Sequence, residues 1–399
     1  MATLHDHAVD WLAGNDAELV NWRRDLHAHP EIAYAEHRTT ERIVALLTSF
    51  GLEPKPLSIG TGVVCDIGAG PEFVALRADI DALPLPDSKT VEYASQNPGS
   101  CHACGHDAHT AILLGVAATL ARAQPLAGSV RLIFQPAEER MPGGAEAVVD
   151  EGGLAGVSSM FALHCDPKLD AGQVGLRVGP ITASFNQIEI RLSGPGGHTA
   201  RPHLTVDVVY ALGKLITELP GLLSRRVDPR SAVSLVWGAV NAGAAANAIP
   251  PTGILRGTLR MLDGQLWNQL EGVVRELAEQ TVAATNVKIE IDYDSGVPAV
   301  TNDGALVAIQ TRAALAAFGP HAVSDTPQSM GGEDFAWYLQ TVPGSLARLG
   351  VRSPGGQSGD LHQSSFDIDE DALAVGVRFT TAILDQLFDE AAAESPSAD

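Results

Sequence analysis

The stretch CHACGHDAHTAILLGVAATLARAQ, residues 101–124, decides the fold. No charge falls between Asp107 and Arg122, and the apolar run is too long for a strand. It predicts a buried helix over 108–124. On either side stand FVALRAD (73–79) and VRLIFQ (130–135), two apolar runs of strand length. Strand, helix and strand in that order imply parallel pairing, with helices covering both faces of the sheet. VVCDI (63–67) and MFALH (160–164) read as further buried strands, and residues 8–28 and 35–50 carry apolar residues at helical spacing. The fold class is therefore α/β with a mostly parallel sheet. The first ten residues of the stretch pose a chemical question as well, because they hold two Cys, three His and an Asp.

Further along, the pattern changes near residue 180. In QIEIRL, Ile188, Ile190 and Leu192 alternate with Gln187, Glu189 and Arg191, as in a sheet with one wet face. A helix is expected at about 205–222, strands at about 231–240 and 252–262, a helix at about 265–284, and a last strand in VKIEIDY (287–293). The order βαββαβ describes a small α+β unit with one open sheet face. After about 297 helical stretches return, including 303–318 and 369–389, and EAAAESPSAD (390–399) reads as a frayed acidic tail. The expected organisation is a discontinuous catalytic domain, 1–180 with 297–399, interrupted by an inserted domain, 181–296.

Composition narrows the function. A chain of 399 residues exceeds one ordinary core, which fits two domains. With 48 acidic and 26 basic residues the net charge is -22, which repels phosphate backbones and argues against a nucleic-acid partner. The opening MATLHDHAVDWLAGND has no basic segment and no long apolar run, so neither a secretory signal nor a membrane partner is expected. Four cysteines (Cys65, Cys101, Cys104 and Cys165) are too few for a disulfide scaffold and point to a reducing cytoplasm.

A structural zinc knuckle needs a second ligand pair, and the chain has no other CxxC. A redox CxxC leaves His102 and GHDAH unexplained. An open metal site has more to draw on, because sites in α/β sheets form outside the carboxyl ends of strands. FVALRAD ends on Asp79, VRLIFQ runs into Glu138 and Glu139, MFALH ends on His164, and SGDLHQSSF offers His362. Cys, His and carboxylates together suit zinc or another divalent ion. Of two adjacent glutamates, one can bind metal while its neighbour acts as a base. Each feature also has a plainer reading: a solvated Glu pair, a core histidine at 164, and Asp79 and Asp81 as caps of a turn.

Taken together, RRDLHAHPEIAYAEHRTT (23–40), ALRADIDALP (75–84), HACGHDAHT (102–110), IFQPAEE (133–139), GGHTARPH (196–203), GGEDFAWY (331–338) and LHQSSFDIDEDAL (361–373) resemble the aminoacylase-like metallopeptidases, peptidase family M20. Within it they are most similar to the N-acyl-amino-acid amidohydrolases, such as hippurate and indole-acetyl-amino-acid hydrolases. The resemblance implies a two-metal α/β domain with an inserted lid or dimerisation domain, and a homodimer. It implies Cys104, His106, Glu139, His164 and His362 as ligands of two divalent ions (Zn or Mn, with Co and Ni compatible), and Glu138 as general base and acid. Asp79 resembles a carboxylate that orients a ligand. His198 resembles a histidine that meets the substrate carbonyl, and Asn247 and Arg260 resemble residues that hold its carboxylate. The implied reaction is hydrolysis of a small N-acyl amino acid. The alternatives are a dipeptidase or N-acyl-diaminopimelate deacylase, and, in another class, a non-catalytic metal-binding dimer. Two departures stand out. Cys101 replaces a common Met and could compete as a ligand or join Cys104 in a disulfide. GGEDF replaces the more usual GSEDF.

Overall fold

The computed structural model describes residues 2–141, 143–357 and 359–394, which form two compact units. The first takes in Met1–Gly179, Thr301–Pro327 and Trp337–Asp399. Its centre is an eight-stranded sheet in the order Lys55–Pro56, Val63–Ile67, Ser129–Gln135, Phe73–Asp79, Val157–Asp170, Gly344–Arg352, Val174–Leu176, Val323–Asp325. Phe73–Asp79 pairs parallel with both of its neighbours, and Gly344–Arg352 pairs parallel with Val157–Asp170. Val63–Ile67 runs antiparallel at one side.

Gly344–Arg352 adds a buried strand among the helical stretches expected after residue 297. All but its last residue are buried, so its sequence, GSLARLGVR, shows no alternation to read. Arg348 in its middle also breaks the apolar run. The short strands Val174–Leu176 and Val323–Asp325 were likewise not foreseen.

The helix in the opening stretch runs His106–Arg122, starting two residues earlier than expected, and each residue from His106 to Leu120 is buried. A helix apolar all round belongs inside a core, here packed against Leu4–Ala28 and Asp371–Glu394. Gly105 precedes it at φ 86, and a Cβ there would lie 2.7 Å from Cys165 Sγ. Both facts demand glycine. Asp371–Glu394 extends through the first half of the expected frayed tail, whose remaining residues, 395–399, lie outside the described residues. No helix of the described residues is long and apolar enough to cross a membrane.

The second unit comprises Pro180–Val300 and Gln328–Ala336. Its antiparallel sheet has the order Ser234–Ala242, Thr252–Arg260, Phe185–Ser193, Lys288–Val297. The helices Val208–Leu223 and Gly264–Val282 bury its apolar face, where Ile188, Ile190 and Leu192 lie. Glu189 pairs with Arg191 and Arg256 on the other face. Segment 328–336 joins this unit through Ser329, whose N–H donates to Ile181 O at 2.9 Å and whose carbonyl accepts from Ala183 N at 3.0 Å.

Gly105→Ala should lower unfolding stability by about 2–4 kcal/mol, from the left-handed backbone and the clash together. Gly14→Ala, in a helix interior with nothing within 4 Å of the new Cβ, should raise it by about 0.5–1 kcal/mol. Denaturant midpoints of the two variants check the contrast, and equal midpoints would contradict it.

Candidate metal centre

Five segments of the first unit meet near the carboxyl ends of its parallel strands. Phe73–Asp79 ends at Asp79, and Ser129–Gln135 leads into Pro136-Ala137-Glu138-Glu139. Cys104 stands just ahead of the helix that begins at His106. His164 comes from Val157–Asp170. His362 sits at φ 62 in a loop whose backbone donates to Ala103 O at 2.8 Å. Ligand atoms approach within 4.8 Å of one another in overlapping groups: Cys104 with His106 and His164, Cys104 with Glu139 and His362, and His106 with Glu138 and Glu139.

Hydrogen bonds set which ring nitrogen faces inward. His164 Nδ1 donates to Cys165 O at 2.8 Å, leaving Nε2 3.6 Å from Cys104 Sγ. Burial first, then Arg348, holds this imidazole well below its usual pKa, so it is neutral with a lone pair available. His106 Nδ1 meets Asp81 through the backbone O at 3.0 Å and Oδ1 at 3.2 Å. Its buried Nε2 makes no hydrogen bond and lies 3.9 Å from Glu139 Oε1. His109 differs. Its Nδ1 is 2.5 Å from Asp79 Oδ1 and its Nε2 accepts the Cys165 N–H at 2.9 Å, so both nitrogens are engaged.

Asp79 therefore holds His109, and it takes Arg77 Nη1 at 2.6 Å on its other oxygen. The carboxylate that orients His106 through Nδ1 is Asp81. Its Oδ2 also accepts the Glu139 N–H at 2.9 Å. The sequence reading weighed Asp81 only as a turn cap. The signal was the DID spacing, which puts Asp81 two residues past the strand end, where side chains turn from sheet to site. Asp107 points elsewhere and accepts from Arg23 Nε at 2.7 Å and His27 Nδ1 at 2.6 Å. Cys101 is a free buried thiol, pushed up to about 11 by burial, and belongs to none of the ligand groups.

The donor set fits a divalent cation. Burial, then Glu139, Glu138 and Asp79, pushes the Cys104 thiol well above its usual range. His106 Nε2 and Glu139 Oε1 are both buried without a hydrogen bond. Crowded carboxylates, a thiol and bare imidazole nitrogens are what a positive ion relieves.

In the second unit, His198 lies opposite Ala248, so Asn247 is close by, with its carbonyl accepting the Thr199 N–H at 3.3 Å. His198 Nδ1 accepts the Ala200 N–H at 3.0 Å, which leaves the proton on Nε2. Arg260 stands at the other end of Thr252–Arg260, where it donates to Met330 O at 2.5 Å and stacks on Phe185. Eight steps along a strand put that end about 26 Å from Thr252.

The sequence profile of Peptidase family M20/M25/M40 matches residues 75–386. The chain belongs to that family. An N-acetyl-L-cysteine deacetylase of Bacillus subtilis (strain 168) is 38% identical over 361 residues, 90% of this chain and 85% of that one. A protein of Rhodococcus jostii (strain RHA1) is 47% identical over 370 residues, 92% of this chain; it is named for glutamate–cysteine ligase, and the chain spans only 46% of its length. More than half of that protein has no counterpart here, so its ligase name is not carried over. Among solved structures, a Bacillus subtilis dinuclear metal binding peptidase of the M20 family has a TM-score of 0.83 at 33% identity, over 94% of this chain and 99% of that one. The chain is a metal-dependent amidohydrolase.

In the metal-free protein His106 stays protonated at neutral pH. Burial alone would lower its pKa, but Asp79, Asp81 and Glu139 outweigh it and raise it to about 10. A cation at Nε2 must displace that proton, so affinity should climb with pH up to that value. Calorimetric titrations of the chelated protein in buffers of different ionisation enthalpy should count released protons, and a count of zero contradicts the assignment. Far-UV circular dichroism should survive chelation, because the core of this unit does not depend on the ion.

Proposed function

We propose that the chain hydrolyses the amide bond of small N-acyl amino acids, giving a carboxylate and a free amino acid, with Cys104, His106, Glu139, His164 and His362 holding two divalent ions. Zn or Mn is the favoured metal, with Co and Ni compatible. The observation that carries this reading is the placement of two adjacent carboxylates, Glu138 and Glu139, within one group with His106. When bound, the ions supply Lewis acidity toward the scissile carbonyl and acidify a water. Glu139 is pinned at its backbone by Asp81. Glu138 takes the proton of the attacking water and later delivers it to the leaving amine. His198, with its proton on Nε2, donates to the developing oxyanion. Arg260 fixes the substrate carboxylate together with Asn247, which lies beside His198 and reaches it from the same copy as His198 does. The deacetylase relative supports an acyl group on an amino acid. The peptidase name of the structural relative keeps a dipeptidase or N-acyl-diaminopimelate deacylase as the second reading.

We further propose a cytoplasmic homodimer, built on 181–296 as a lid and dimerisation domain, in which His198 acts on the partner's substrate. His198 pairs with Ala248 in a small two-stranded sheet just before Thr252, whereas Arg260 stands at the far end of the strand that Thr252 begins. A two-residue substrate spans only about 7 Å, too short to touch both in one copy. The edge strand Ser234–Ala242 leaves Val236 and Val240 59% and 53% exposed, which suits pairing with a second copy.

A turnover panel of N-acyl amino acids beside dipeptides, on metal-loaded protein, separates the two readings. Glu138→Gln should lower kcat by about 10²–10⁴ with metal retained. Metal loss in Glu138→Gln but not in Glu139→Gln would reverse the two roles. Mixing Glu138→Ala with His198→Ala protein under verified subunit exchange should restore turnover, since one site per mixed dimer is whole. A mixture as inactive as its parents would remove the trans assignment.

A further inference from the structure

Glu36 is fully buried, yet nothing in the proposed reaction uses it. It precedes the helix His37–Ser49 at the capping position, but its side chain makes no capping bond to that helix. Its Oε1 instead accepts the N–H of Ala137, 101 positions away in sequence, at 2.8 Å. Its Oε2 is buried and makes no hydrogen bond. A carboxyl is a costly way to satisfy one backbone donor, because the unused oxygen is desolvated. Burial, helped by the charge of Asp81, pushes its acid up to about 7.

The donor it selects is unusual. Ala137 is a non-glycine residue at φ 55, directly before Glu138. Such a residue relaxes to negative φ unless its surroundings hold it. Three features hold this one. The Glu36 carboxyl takes its N–H. Gly144 N donates to its carbonyl at 3.1 Å. Gly144 and Gly62 leave room for the turn, since a Cβ on either would lie 2.0 Å from Pro136 O or 2.6 Å from Pro136 Cδ. One residue past Glu138, the Glu139 N–H is held at 2.9 Å by Asp81. Two buried carboxyls from separate segments thus grip the backbone on both sides of Glu138.

We propose that Glu36 is a positioning residue: with Asp81 it clamps the Ala137–Glu139 turn and aims the Glu138 carboxylate. This rests on the reading of Glu138 as the proton carrier. The clamp acts through reach rather than charge, because the acceptor oxygen does the work. Glu36→Gln keeps the acceptor at full length without the charge. Glu36→Asp keeps the charge and draws the oxygen back by one methylene.

The test compares these variants with wild type on metal-loaded enzyme, reading kcat, KM, bound metal and a crystal structure of each. Glu36→Asp should lose about 10-fold or more in kcat, the scale expected of a displaced catalytic group. Its KM and bound metal should stay near wild type, and Ala137 should leave the left-handed region. Glu36→Gln should stay within about 3-fold of wild type with the turn intact. The clamp is overturned by a Glu36→Asp structure in which Ala137 and Glu138 keep their places. Equal losses in both variants would also overturn it, as would a loss that follows bound metal or folded fraction alone. If wild type turns over no acyl-amino acid, the proposed function fails, and the crystal structures still decide the clamp.

Discussion

The site depends on one carboxylate with two tasks. Asp81 fixes the His106 ring through Nδ1 and, with its other oxygen, the backbone of Glu139. Phe73–Asp79 and Ser129–Gln135 are adjacent and parallel, with Asp79 level with Gln135, so the loops beyond both strands leave the sheet side by side. Asp81 is two residues past one strand and Glu139 four past the other. The helix between them starts at that same edge, which brings His106 into reach, before it carries the chain back to the opposite edge. A strand–helix–strand crossover of this kind is what turns three stretches distant in sequence into one ligand cluster.

The first turn of that helix divides its labour by direction. His106 faces the site. His109, one turn on, meets Asp79 and the Cys165 N–H, with Asp79 in turn gripped by Arg77. Asp107 points to the opposite side and meets Arg23 and His27. Arg23 is fully buried and also bonds Asp367 at 2.6 Å, five residues after His362. A single guanidinium therefore joins the first helix, the helix of His106 and the loop of His362. Its charge is matched by the buried Asp107 and the half-buried Asp367, so removing Asp107 would leave the buried guanidinium poorly paired. The segments that carry the proposed ligands are thus tied together by groups outside the ligand set.

The sequence was legible where one local pattern fixed the answer. The helix from His106, the strands on either side and the alternating QIEIRL could be read from period and burial alone. Gly344–Arg352 could not be, because a strand buried on both faces carries no alternation and Arg348 interrupts its apolar run. Asp81 and Glu36 escaped for another reason. Each accepts a backbone N–H, 58 and 101 residues away, and a backbone donor leaves no mark of its own in the sequence. His109 looks as much like a ligand as His106 does. Only its two hydrogen bonds, one to a carboxylate and one from a backbone N–H, take it out of the ligand set.

The donor chemistry also bears on which ion the proposed ligands would take. Magnesium and calcium prefer oxygen and keep waters, whereas three imidazoles and a thiol form a softer set. Cys104 stands at the start of a helix, where aligned N–H groups favour a thiolate. Burial and the nearby Glu138, Glu139 and Asp79 oppose it. A cation bound to the sulfur reverses that balance at once, because it supplies the charge that the carboxylates repel. The same ion replaces the proton that those carboxylates hold on His106. One substitution of charge thus settles the thiol, the imidazole and the glutamate together, and it does so best for an ion that accepts sulfur and nitrogen. Among the proposed ions, zinc meets that condition.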